Sequence, residues 1–173
     1  AKGGDWFDGG VLIQLHRHSY TSSHGFINGT WVQTYAAINA SNELLATNNL
    51  DENQTAQLRS LRAYFYWRLL DLYGRVKLIT TPGQDQPQST RQDVFAFVES
   101  ELLTALGISA VTASMDLTNS PLLADKSEFR INRFAALGML AKLYLNAEVY
   151  TGTARYQEAE WAANYVIENG PYE

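Results

Sequence analysis

The sequence predicts an all-α fold of about five helices arranged in tetratricopeptide-like hairpins, and three observations carry that expectation. From Thr30 onward, apolar residues recur at steps of three and four. Capping residues stand where these runs begin, and glycines stand where two of them end. The last two runs also follow the spacing of a known helical repeat.

Residues 1–29 hold six of the twelve glycines and all three histidines, without a long helical period, and read as a structured loop region. Residues 30–173 read as helical hairpins, the whole forming one domain. Thr30 is the expected cap of a first helix whose face is Trp31, Tyr35, Ile38, Asn42 and Leu45. Asp51 caps the next, with the stripe Leu58, Leu61, Phe65, Leu69 and Leu72 and a stop at Gly74. The short link between these two helices predicts an antiparallel hairpin. Residues 75–89 read as extended chain and turn, with a short strand-like piece over Val76–Ile79.

Thr90, with Asp93 three residues on, opens a third helix that turns Val94, Phe97, Val98, Leu102 and Ala105 inward. A polar loop covers 107–131. The fourth helix starts after Asn132 and buries Phe134, Leu137, Ala141, Leu145 and the aliphatic part of Glu148. Its partner spans about 154–169 on Tyr156, Ala159, Ala163 and Val166, ending at Gly170 and Pro171. Phe134, Leu137, Gly138 and Ala141, then Ala159, Ala163 and Pro171, keep tetratricopeptide spacing, although the turn between the blocks is too long. Small residues at Gly138 and Ala159 are expected to let the two backbones approach closely.

A net charge of −5 without any basic run leaves nothing to neutralise phosphates, which argues against a nucleic-acid partner. With no cysteine there is neither disulfide nor thiolate metal site. No apolar run reaches membrane-span length, and "AKGGDWFDGG" has neither signal-peptide character nor an initiator Met, so the beginning reads as a trimmed or truncated end. The common hydrolase, nucleotide and metalloprotease signatures are absent, and no cofactor is expected.

In "GGDWFDGG", Asp5 and Asp8 flank Trp6 and Phe7, a pairing that suits sugars: C–H faces stack on rings while carboxylates accept hydroxyl protons. The competing structural role is turn capping by the aspartates and core plugging by Trp6. His16, His18 and His24 lie close in "HRHSYTSSH", but no acidic partner sits at a metal-ligand spacing, so hydrogen bonding is expected rather than metal. Arg59, Arg62, Arg68 and Glu148 stand among apolar neighbours, and buried ion pairs or snorkelling stems are expected, Glu148 pairing with an arginine.

Together, "WVQTYAAINASNELL", "LRAYFYWRLLDLYGRVKLI", "RQDVFAFVESEL", "RINRFAALGMLAKLYLNAEVYTG" and "YQEAEWAANYVIENGPY" resemble the SusD/RagB family of surface nutrient-binding lipoproteins. The resemblance covers nearly all of residues 5–173. It implies the N-terminal, tetratricopeptide-like portion of a larger protein that binds oligosaccharides and cleaves nothing. It further implies a lipid anchor outside the outer membrane, absent from this chain, and delivery of glycan to a TonB-dependent transporter of SusC type. Relatives sharing "DWxDGG" and "HxHxW" hold this early loop near the glycan. The matching positions here are Asp5, Trp6, Asp8, His16, His18 and Tyr20, tyrosine standing where the pattern has tryptophan. The expected glycan contacts are Trp6 and Tyr20 by stacking, Asp5 and Asp8 as acceptors, and His18 in orienting the sugar chain. The family's "YGxVPLI" is altered by Lys77. Two other readings compete: a protein-interaction scaffold without glycan binding, and a glycoside hydrolase using Asp5 and Asp8.

Overall fold

The computed structural model describes residues 10–127 and 129–172 of the chain, and these form helices with no strand among them. They are α1 (Val11–His16), α2 (Gly25–Leu45), α3 (Glu52–Tyr73), α4 (Arg91–Leu106), α5 (Arg133–Leu145), α6 (Ala147–Thr151) and α7 (Tyr156–Asn169). The all-α expectation holds, with two short helices, α1 and α6, beyond the five expected. The chain divides into two compact units, Ala1–Ala36 and Ala37–Glu173, with α2 running through the boundary.

Within the first unit, α2 begins ahead of Thr30, because the amide of Asn28 already closes a turn on the carbonyl of His24 at 2.9 Å. Thr30 is an internal residue whose carbonyl accepts the Thr34 hydroxyl at 2.6 Å. The α1 helix has a basic residue, His16, in its last turn, which suits the negative end of a helix dipole.

In the second unit, capping sets the helix starts as expected. Asp51 and Gln54 form a reciprocal capping box at α3, Thr90 and Asp93 another at α4, and the Asn132 side chain accepts the amide of Ala135 at 2.8 Å to open α5. Each such cap contributes about 1 kcal/mol. α3 packs lengthwise on α4, and α5 on α7, while α4 also meets α5 and α6. The expected α2–α3 hairpin is therefore not the main pairing of α3. A hydrogen bond from Arg62 Nη1 to Asn42 Oδ1, at 2.8 Å, joins these two helices.

The α3 stripe also differs from expectation. Leu61 and Leu72 are exposed, whereas Ala56, Ser60, Arg62, Ala63, Tyr66, Leu69 and Leu70 are buried. The inward face carries small residues together with Arg62 and Tyr66, whose partners lie on other elements, so hydropathy alone misplaces it. Arg62 and Arg59 both bind Glu101 of α4, at 2.6 and 2.7 Å, which fulfils the ion-pair expectation for those two arginines. Arg68 lies 3.8 Å from Asp71.

Val76–Ile79 is not a strand. The polar groups of Ile79 bind side chains instead: the Tyr66 hydroxyl accepts its amide at 2.7 Å and donates to its carbonyl at 2.8 Å, and Asn42 Nδ2 donates to that carbonyl at 2.9 Å. The 107–131 connection is pinned to the core by buried Val111, Leu117 and Leu122. Arg133 holds it from α5, donating to the carbonyls of Leu117 and Leu122 at 2.6 and 3.1 Å.

The fourth expected helix is broken at Asn146, whose side-chain amide bonds back to the Lys142 carbonyl at 2.9 Å and whose backbone leaves helical geometry (φ −101°, ψ 8°). The break leaves Leu145 and Glu148 exposed, contrary to expectation. Glu148 pairs with no arginine; it accepts the Tyr156 hydroxyl at 2.7 Å. Gly138 is not a close-approach point either, since a Cβ built there would meet nothing within 4 Å. Ala159 and Ala162 supply the small buried contacts of α7.

Candidate functional site

The expected site residues divide sharply. Asp5, Trp6 and Asp8 lie outside the described residues, while His18 and Tyr20 lie within them, in the first unit. Their positions follow from how α1 ends. The amide of His18 bonds the carbonyl of Leu15 at 3.2 Å and that of Ser19 bonds Gln14 at 3.0 Å, the paired pattern of a Schellman cap. His18 takes the left-handed position of that cap, with φ 54°, where glycine is usual. Backbone strain at a non-glycine residue is a marker of function more often than of chance.

Beyond the cap, four rings follow one another. His18 and Tyr20 lie 6.3 Å apart between centroids, Tyr20 and His24 6.4 Å, and His24 and Phe26 5.8 Å. These separations fall in the range of attractive ring pairs. His24 is only 7% exposed and anchors the series: its Nε2 lies 3.1 Å from the Val11 carbonyl, which can only accept, so Nε2 carries the proton. Its Nδ1 is buried and has no hydrogen-bond partner among the described residues. Thr21 and Ser23 hydroxyls bond each other at 2.8 Å in the same loop. The loop therefore presents rings, an imidazole and hydroxyls together, chemistry suited to a polar ligand with apolar faces.

Among the described residues, no group of three His, Cys, Asp or Glu side chains gathers as metal ligands. Sequence reasoning expected His24 to hydrogen-bond, as it does to the Val11 carbonyl, but did not see it as a support for neighbouring rings and passed over Phe26. The signal was the spacing of Tyr20, His24 and Phe26, which is legible only once a turn folds that segment on itself. In the second unit a groove of about 340 Å³ runs between α5 and α7, lined by Leu145, Ala141 and Tyr156, with Lys142 on one side and Glu160 on the other. No described helix is long and apolar enough to cross a membrane.

Helices packed in pairs with irregular connections define the class: an all-α, tetratricopeptide-like scaffold. Within that class the chain is SusD-like. It is 33% identical over 116 residues to the starch-binding protein SusD of Bacteroides thetaiotaomicron, a match covering 66% of this chain and 19% of that protein. A solved SusD superfamily structure from Parabacteroides distasonis superposes with a TM-score of 0.75 at 20% identity, covering 92% of this chain and 35% of the other. A SusD homologue from Bacteroides thetaiotaomicron gives 0.68 at 24% identity, over 90% and 32% of the two chains. A laminarin-binding SusD-like protein gives 0.62 at 25%, over 84% and 34%. The chain thus spans about a fifth of the curated relative and about a third of these solved structures. No family model matches it.

Proposed function

We propose that the protein binds oligosaccharide or polysaccharide at the bacterial cell surface and passes it to a TonB-dependent outer-membrane transporter of SusC type. It acts as a binding protein rather than an enzyme, held outside the outer membrane by a lipid anchor. The observation that carries this reading is the ring series from His18 to Phe26 beside the loop hydroxyls. The likeness to proteins named for binding starch and laminarin supports it. Trp6 and Tyr20 stack on sugar faces, Asp5 and Asp8 accept hydroxyl protons, and His18 orients the sugar chain.

The test is titration of the full-length protein with an oligosaccharide panel, alongside Trp6→Ala and Tyr20→Ala. Weakened binding in these variants supports the site; unchanged affinity in both removes it. A second reading, a protein-interaction scaffold without glycan binding, is favoured by the α5–α7 groove, where Leu145 is 58% and Tyr156 54% exposed. It predicts co-purification with a membrane transporter and no response to any glycan.

A further inference from the structure

Resting on the glycan-binding reading above, we infer that Phe26 is a second stacking subsite beside Tyr20, so that the site grips a chain of several sugar units rather than one. Tyr20 and Phe26 are 43% and 54% exposed, and both rings lie against the same buried imidazole, that of His24. His24 is tied to α1 through the Val11 carbonyl. Phe26 sits in the first turn of α2, where the backbone is fixed by the helix. Both rings thus rest on one buried support, which lowers the entropic cost of ordering them when ligand arrives.

Exposed rings elsewhere differ in surroundings. The hydroxyls of Tyr156 and Tyr172 bond Glu148 and Asn132, and Tyr64 packs its edge on Phe65 and Trp67 of its own helix. Phe26 has no polar handle and continues the His18–Tyr20–His24 series. A phenyl face in water gains by covering the C–H face of a sugar. An apolar peptide side chain would gain as well, but the hydroxyls of Thr21 and Ser23 and the His18 imidazole in the same short loop suit a ligand rich in hydroxyl groups. A single sugar unit covers one ring; reaching the second requires a chain.

The experiment is calorimetric titration of the full-length protein and its Phe26→Ala and Phe26→Trp variants with maltose, maltoheptaose, laminaribiose and laminariheptaose. Wild type is expected to bind one heptasaccharide more tightly than its disaccharide. Phe26→Ala should weaken that heptasaccharide roughly 2- to 10-fold, the scale of one aromatic contact, and weaken the disaccharide less. Phe26→Trp should restore the difference. Unaltered heptasaccharide affinity in Phe26→Ala, with affinity lost in Tyr20→Ala, overturns the second subsite and leaves the glycan reading standing. A Phe26→Ala protein that keeps its glucan affinity but no longer co-purifies with a transporter assigns Phe26 to a protein contact, which also overturns the subsite. Failure of wild type to bind any of the four sugars overturns both.

Discussion

The guanidinium of Arg62 on α3 donates twice to a single oxygen of Glu101 on α4, at 2.9 and 2.6 Å, and both side chains are almost wholly withdrawn from water. Arg59 occupies the other carboxylate oxygen at 2.7 Å, from a position 35% exposed. The α3–α4 pair is thus joined through one buried anion serving two cations. Removing the anion alone strands Arg62 in the interior. Glu101→Ala is expected to lower the unfolding free energy by about 3–5 kcal/mol, the usual cost of breaking a buried pair from one side. Replacing both partners, as in Arg62→Met with Glu101→Leu, should cost less than Glu101→Ala, because no charge is left unpaired and Arg59 can turn to solvent. Urea unfolding of the three proteins checks the order, and a double variant less stable than Glu101→Ala contradicts it.

Gly74 ends α3 in a conformation that side chains resist. Its φ and ψ are 77° and −81°, and the amide of Arg75 reaches the carbonyl of Tyr73 at 3.0 Å across it, the strained form of γ-turn. A Cβ there would also lie 2.6 Å from Nε of Arg91. Arg91 is exposed and can swing away, so the backbone supplies most of the cost. Gly74→Ala should destabilise by about 1–3 kcal/mol. The loss should persist in an Arg91→Ala background; its disappearance there would assign the effect to the side-chain clash.

Two tyrosines make the protein sensitive to alkali. Burial first, then the neighbouring carboxylate of Glu99, pushes the Tyr144 hydroxyl far above the ordinary tyrosine range, and it donates to Glu99 Oε1 at 2.8 Å. Burial and a hydrogen bond to Asp71, at 2.9 Å, raise Tyr150 as well. A folded-state pKa above the unfolded value means that folding favours the protonated form. The stabilisation is therefore complete below the unfolded tyrosine pKa of about 10 and is lost as pH rises through the folded values. Stability should fall above about pH 10, and the tyrosinate absorbance of these two residues should appear only together with unfolding. Tyr144→Phe should flatten the decline. Titration of every tyrosine before any loss of helical circular dichroism would refute the account.

What could be read in advance was what local chemistry decides. Thr90 with Asp93, Asp51 and Asn132 announced three helix starts, because a cap needs only neighbours in sequence. The α4 face was also legible, since Val94, Val98 and Leu102 pack against apolar partners. The α3 face was not: Arg62 and Tyr66 are buried because Glu101, Asn42 and the Ile79 carbonyl lie far along the chain to receive them. The site shows the same division. His18 and Tyr20 were named through the family resemblance and lie together because they are two residues apart, whereas His24 as a support and Phe26 as its neighbour required the turn that only the fold supplies.

His18 offers a way to separate function from stability, because its backbone and its ring pull in opposite directions. At φ 54° it occupies the cap position that glycine takes at least cost. His18→Gly removes that strain, worth about 1–3 kcal/mol, and gives back about 0.5–1 kcal/mol through the greater freedom of glycine in the unfolded chain. The variant should therefore be as stable as wild type or more stable by up to about 2.5 kcal/mol. The same change deletes the imidazole 6.3 Å from the Tyr20 ring, so on the proposed function glycan affinity should fall roughly 2- to 10-fold. Urea unfolding and calorimetric titration on the same samples read the two effects independently. A stability gain accompanied by weaker binding identifies a residue kept for its ligand at a cost to the fold. Lower stability with unchanged affinity would show that the His18 ring serves packing within the fold rather than the ligand.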